Sequence, residues 1–284
     1  MFKNNCIIPL SLSLLTILFP HMGRAETPIA VKQGGIVHLS LDTGKGNPSV
    51  QGKFLGRTIP FFKTNEGVYS TVLGIDLAQK KGTWPFVVSW EDGDKSVRQE
   101  YRIQIVGAKF GIQELTLPKG KVDLDPPTLS RVRREQGEMK EVFSHSIDKK
   151  LWNGAFLVPV EGKIQGTFGR RRILNGQARR PHTGEDISAP QGAETRATNS
   201  GKIVLVSDFF FNGRSVVIDH GLGLFSMYFH LSEITVEEGM MVQRGQGIGR
   251  VGQTGRVTGP HLHWGMRLNG ARIDPFSLVD TSFD

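Results

Sequence analysis

The sequence predicts an all-β chain: an N-terminal small β-sandwich-like domain, a helical connector, and a C-terminal antiparallel β-sheet or barrel-like domain. Three observations carry this prediction. Apolar and polar residues alternate over short runs in both halves, glycine is frequent at 35 of 284 residues, and only one stretch near the middle carries a helix-start signal. The length suffices for two domains with a core each.

Residues 1–25 read as a secretory signal peptide. Lys3 lies in a short polar start, Cys6 to Phe19 is almost wholly apolar, and Gly23-Arg24-Ala25 sets small residues around a cleavage point. The stretch is too short and wrongly flanked to span a bilayer, and no later stretch is long and apolar enough. Cleavage removes Lys3 and Arg24 and no acid, so the net charge of +8 becomes +6. It also removes Cys6, the only cysteine, which excludes a thiol nucleophile, a thiolate metal site and disulfides. A basic exported chain suits a polyanionic setting such as a bacterial envelope, although a lysine- and arginine-rich solvated surface gives the same balance.

Residues 26–107 form the first domain. Val37, Leu39 and Leu41 alternate with His38 and Ser40, and Phe86, Val88 and Trp90 lead into the turn signal Glu91-Asp92-Gly93-Asp94. Tyr101, Ile103 and Ile105 alternate after it. No residue of this block has a catalytic pattern. Residues 108–150 are the connector. Asp125 is placed to cap a helix with Pro126 in its first turn, and Thr128 to Phe143 reads as one exposed, charged helix. Arg131, Arg133 and Arg134 do not mark a nucleic-acid surface, since aromatic neighbours are missing and Glu135, Glu138 and Glu141 follow. Residues 151–284 return to strands and glycine turns, with 202–206 and 215–219 as central strands, 226–230 another, and the strand holding His261 and His263 last.

The chemistry concentrates in that last domain. His182 and Asp186, in Pro181-His182-Thr183-Gly184-Glu185-Asp186, can converge on one ion. With His263 they make a set of two nitrogens and one oxygen that leaves a fourth tetrahedral position open, as catalytic rather than structural zinc sites do. His261 lies two residues from His263, on the same face of a strand, where it can take a proton from water. His230 ends another strand and can donate to an oxyanion. A His-Glu-X-X-His helix, the usual source of a metalloprotease base, is missing.

Pro181 to Pro190, Tyr228 to Ser232, and Gly245 to His263 resemble the lysostaphin-type (LytM-like) zinc peptidases, which cut the peptide cross-links of bacterial peptidoglycan. Phe168-Gly169-Arg170-Arg171 and Ile273-Asp274-Pro275 extend the resemblance over roughly residues 151–279. The resemblance implies His182, Asp186 and His263 as ligands of one zinc ion, and His261 and His230 as the catalytic pair. All five are present, whereas inactive relatives that regulate other wall enzymes lose ligands. The implied partner is the peptidoglycan stem peptide and the implied location the periplasm or cell envelope; a non-catalytic, peptidoglycan-binding activator of another hydrolase is the alternative. Glu185 departs from the family's usual apolar residue. The 26–150 region also resembles, more loosely, a region found ahead of some members.

Gly247-Ile248-Gly249-Arg250-Val251-Gly252 fits G-x-G-x-x-G but lacks a following helix, so the dinucleotide reading fails. His145 lies outside the catalytic block; because some relatives in the resembled family are held latent by an inserted residue, the resemblance raises it as a regulatory fourth ligand. Arg170, Arg171, Arg172, Arg179 and Arg180 make either a basic rim for an acidic polymer or a solvated loop.

Overall fold

The computed structural model describes residues 27–44, 48–64, 67–279, 281 and 283. The expected leader, residues 1–25, lies outside them. Among the described residues, no helix is long and apolar enough to cross a membrane.

Alternation builds the N-terminal sheets. Gly82–Asp92 and Lys95–Val106 pair as an antiparallel hairpin whose two-residue link uses Gly93 at φ +60°, a conformation glycine adopts without steric cost. Ile29–Lys32 joins Lys95–Val106 in parallel, and Gln51–Phe54 and Arg57–Pro60 extend the other edge to five strands. A second sheet holds Ile36–Leu41, Tyr69–Gly74 and Phe62–Lys63. Phe86, Val88, Trp90, Tyr101, Ile103 and Ile105 share one buried core with Val37, Leu73 and Ile75. Each fully buried side chain of this size contributes roughly 1.5–3 kcal/mol.

Tyr69–Gly74 is buried at every position. Tyr69 and Leu73 face the first core, while Val72 joins the core of the C-terminal sheet, where Phe62 packs edge-on against Trp152 at 5.7 Å. One strand therefore serves two cores. Beside it Asp76 receives both forks of Arg272, at 2.8 and 2.6 Å, together with the Arg272 backbone N–H at 3.0 Å.

The connector is fastened at two points. Ile112–Leu115 pairs in parallel with Arg171–Leu174, which also pairs with Gln177–Ala178. Helix α1 (Pro126–Val142) starts as expected, with the Asp125 carboxylate accepting the Thr128 N–H at 2.8 Å. Most of α1 is exposed, yet the helix is not merely solvated. Glu135 accepts the Phe210 N–H at 2.9 Å and pairs with Arg131 at 2.6 Å, and Arg131 donates to the Asp208 carbonyl.

The C-terminal sheet has ten strands. Its main path runs Lys163–Ile164, Gly184–Ser188, Leu262–Leu268, Leu224–Ile234, Gly213–Gly221, Gly201–Phe209, Met241–Val242, every pair antiparallel. The path keeps two separate ends and does not close into a barrel. Gly247–Val251 pairs antiparallel with Glu194–Arg196 and Leu224–Ile234, so the glycine-rich motif is a strand in an all-antiparallel setting.

Candidate active site

Register brings the site together. In the antiparallel ladders Asp186 stands opposite His263, and Phe229 stands opposite His263 from the other side, so all three project from one face. The His263 ring stacks on Phe229 at 5.2 Å with a 2° interplanar angle. Gly184 allows the approach, because a Cβ there would lie 2.7 Å from His263 Nε2 and 2.6 Å from the Trp264 carbonyl.

His182 precedes that strand and is held by its backbone: its N–H donates to Arg170 O and its carbonyl accepts from Gly169 N–H. Its Nδ1 lies 3.2 Å from the Thr167 carbonyl, which only accepts, so Nδ1 carries the proton and Nε2 the lone pair. That Nε2 is 2.8 Å from His263 Nδ1 and 3.2 Å from Asp186 Oδ1, and the last two atoms are 3.0 Å apart. All three residues are buried. Burial outweighs the neighbouring carboxylate for the histidines, lowering His182 and pushing His263 down to about 4. Burial alone would raise Asp186, but the imidazoles of His182 and His263 against its carboxylate hold it far below the usual carboxylate range. Three lone-pair donors thus face one another with at most one proton between them. This donor set fits a zinc ion, whose bonds to nitrogen and carboxylate oxygen are roughly 2.0–2.2 Å.

His261 and His230 stand beside this triangle. His261 Nε2 is 3.7 Å from Asp186 Oδ1, and its Nδ1 donates to the Gly259 carbonyl at 2.8 Å. His230 is reached through a bulge: Tyr228 pairs with Val216 but Leu231 with Arg214, so two residues oppose Ser215 alone. His230 takes φ +67°, and its ring lies 4.9 Å from His261 and 6.1 Å from His263. Simple alternation would have turned it away from the face that Phe229 occupies. Its Nδ1 donates to the Thr254 carbonyl at 2.9 Å. Burial, then the charges of His261 and His263, lowers its pKa well below the ordinary value.

Residues missing from the sequence-level site support these five. The buried Glu185 carboxylate accepts the Thr167 N–H at 2.8 Å, the Thr167 hydroxyl at 3.1 Å and the Phe168 N–H at 3.3 Å. Thr167 in turn holds His182 through its carbonyl and the Asp186 N–H through its hydroxyl. Glu185 therefore faces away from Asp186 and anchors the turn that orients two of the triangle's members. Arg172 approaches the other oxygen of Asp186 at 3.4 Å, so it is neither a free rim residue nor a solvated one. His145 lies on the surface against Ser144 and Glu141, away from this group.

Comparison with known proteins agrees with the class that fold and site define. Residues 180–275 match the model of peptidase family M23. A crystal structure from Pseudomonas aeruginosa carrying an M23 peptidase assignment superposes with a TM-score of 0.68 at 30% identity, over 89% of this chain and 95% of that one. The chain belongs to peptidase family M23. Among curated relatives, the peptidoglycan DD-endopeptidase ShyA of Vibrio cholerae is 40% identical over 119 residues, 41% of this chain and 28% of that protein. The DD-carboxypeptidase/endopeptidase Mpg of Neisseria meningitidis is 41% identical over 117 residues, 41% of this chain and 27% of that protein. The match thus spans little more than a quarter of either relative.

Proposed function

We propose that this chain is a zinc-dependent endopeptidase hydrolysing the peptide cross-links of bacterial peptidoglycan. The observation that carries the reading is the convergence of His182 Nε2, Asp186 Oδ1 and His263 Nδ1 next to two further histidines. These three residues would hold one zinc ion per chain. Bound there, zinc supplies Lewis acidity, polarising a peptide carbonyl and acidifying a water.

The chain's own groups supply the proton chemistry. With Nδ1–H fixed on the Gly259 carbonyl, His261 offers its Nε2 lone pair as general base. It takes a proton from the attacking water and returns it to the leaving amine as the C–N bond breaks. His230 likewise keeps Nδ1–H on a carbonyl, so its Nε2 donates only when the ring is protonated. Burial keeps the resting ring neutral, so His230 stabilises the developing oxyanion only as negative charge builds beside Nε2 and draws a solvent proton onto it. Both rings are held by carbonyls from turns, which fixes their tautomers before substrate arrives.

The names of ShyA and Mpg support a wall-peptide substrate and an extracytoplasmic setting, and an exported, periplasmic chain follows from that reading. In it, residues 26–107 form an accessory β domain, 108–150 a connector and 151–284 the catalytic domain. The test is mass spectrometry of muropeptides released from purified sacculi, with and without a zinc chelator. Loss of cross-linked dimers that chelator prevents supports the reading. Unchanged dimers from a zinc-loaded protein overturn it in favour of a binding or activating role.

A further inference from the structure

Three guanidiniums gather beside the centre with little to neutralise them. Arg172 stands in the strand Arg171–Leu174, Arg179 just past Gln177–Ala178, and Arg256 in the loop leading to His261. The Arg256 guanidinium lies 3.9 Å over the Phe211 ring, and one of its N–H groups donates to the Lys121 carbonyl at 3.3 Å. Arg179 donates to the Val122 carbonyl at 3.1 Å and to the Gln177 side chain. Arg172 donates to Gln113 at 3.1 Å and to Asp186 at 3.4 Å.

Among the described residues, Asp186 is the only carboxylate within 4.0 Å of any of the three, and its other oxygen belongs to the metal triangle. Burial, followed by the charges of Arg172 and Arg179, pushes Arg256 down to about 10. Arg172 and Arg256 are half-buried and Arg179 is exposed beside them; like charges partly removed from water raise the energy of the free protein, and an arriving anion relieves it. Arg256 spends few of its five donors on the protein, and the ring beneath it holds the fork in place. The cluster also adjoins the chemistry: Thr254, two residues before Arg256, supplies the carbonyl that holds His230.

We propose that Arg256, flanked by Arg179 and Arg172, forms a carboxylate-binding subsite that takes a free carboxylate of the peptide near its scissile amide. The proposal rests on the peptidase reading for the identity of the ligand, and binding can be measured apart from cleavage. The probes are a purified muropeptide dimer cross-linked between D-Ala and diaminopimelate, and the same dimer with its carboxylates converted to carboxamides. Binding is measured calorimetrically on the zinc-loaded full chain carrying His261→Ala.

A charge-assisted fork predicts that the acid dimer binds about 10- to 100-fold more tightly than the amide dimer. Adding Arg256→Gln shrinks this ratio to about twofold or less, whereas Arg180→Gln, an exposed neighbour outside the cluster, keeps it. Arg179→Gln gives a second reading should Arg256→Gln fail to fold, and it reduces the ratio as well. Equal binding of the two dimers, or a ratio that survives both substitutions, overturns the subsite. A chain with His261 intact that prefers the acid dimer yet cleaves neither overturns the peptidase reading and leaves the subsite standing.

Discussion

The ten-stranded sheet buries histidines on both faces, and the two sets are built differently. On one face His220 has both nitrogens occupied by the protein: Nδ1 donates to the Ser200 carbonyl at 2.7 Å and Nε2 meets the Ser226 hydroxyl at 2.8 Å. Ser226 pairs with the Tyr228 hydroxyl, which accepts the Thr198 N–H. Each of these hydrogen-bonding groups has a partner, so the network is closed. On the other face, His182, His263 and Asp186 turn their ring nitrogens and carboxylate oxygen toward one another. Burial alone does not mark a functional histidine. What distinguishes the two faces is whether each lone pair meets a separate protein partner or converges with others on one point.

The sharpest way to break that comparison is to remove an oxygen from the open set. Asp186→Asn is expected to reduce bound zinc from about one per chain to none, by elemental analysis, and turnover to background, with the circular dichroism spectrum retained. His220→Gln, by contrast, keeps its zinc; equal zinc loss in both would erase the distinction.

Acid separates the faces next. His220 is pushed down to about 4 by burial, below the ordinary ~6.5 of an unfolded histidine, so between these values the unfolded chain binds the extra proton. Its contribution is therefore fully present above about pH 6.5 and is lost as pH falls through about 4, up to ~3 kcal/mol in all. Urea melts of zinc-loaded protein across this range should lose that slope in His220→Gln.

Two smaller effects refine the picture. Glu185→Gln weakens the anchor of Thr167 and should lower zinc affinity by about 10- to 100-fold in chelator competition, leaving the ligands themselves intact. An unchanged affinity would show that Thr167 needs no carboxylate. Asp76→Asn breaks the fork to Arg272 between the two units and should cost only about 1 kcal/mol, because the pair is partly exposed. Burial raises the Asp76 carboxyl but the Arg272 bonds outweigh it, so this contribution is present above about pH 4 and fades as the carboxyl protonates below it. A larger loss would mean that the two units share more than two adjoining cores.

Local chemistry explains what was legible beforehand. The hairpin around Gly93 and the Asp125 cap of α1 depend on residues a few positions apart, and each declares itself in the sequence. The motifs around His182 and His263 were likewise readable, since the resemblance is carried by short contiguous stretches. Non-local pairing was not. Nothing in Ile112–Leu115 announces a parallel partner at Arg171–Leu174, and nothing in Tyr69–Gly74 says that both its faces will be covered. His230 depends on a bulge, a property of register that alternation alone predicts wrongly. Glu185 read as an odd charge near the site because its partner, Thr167, is a backbone turn 18 residues away.

The central claim, that one set of buried histidines is completed only by a cation, is tested most directly by zinc-dependent melting of the chelator-stripped full chain. The account predicts a melting temperature that rises steeply up to one zinc per chain, then climbs with the logarithm of excess zinc, a response absent in Asp186→Asn but intact in His220→Gln. A stripped protein whose melting zinc does not move, or an Asp186→Asn variant that responds like the parent, would contradict it.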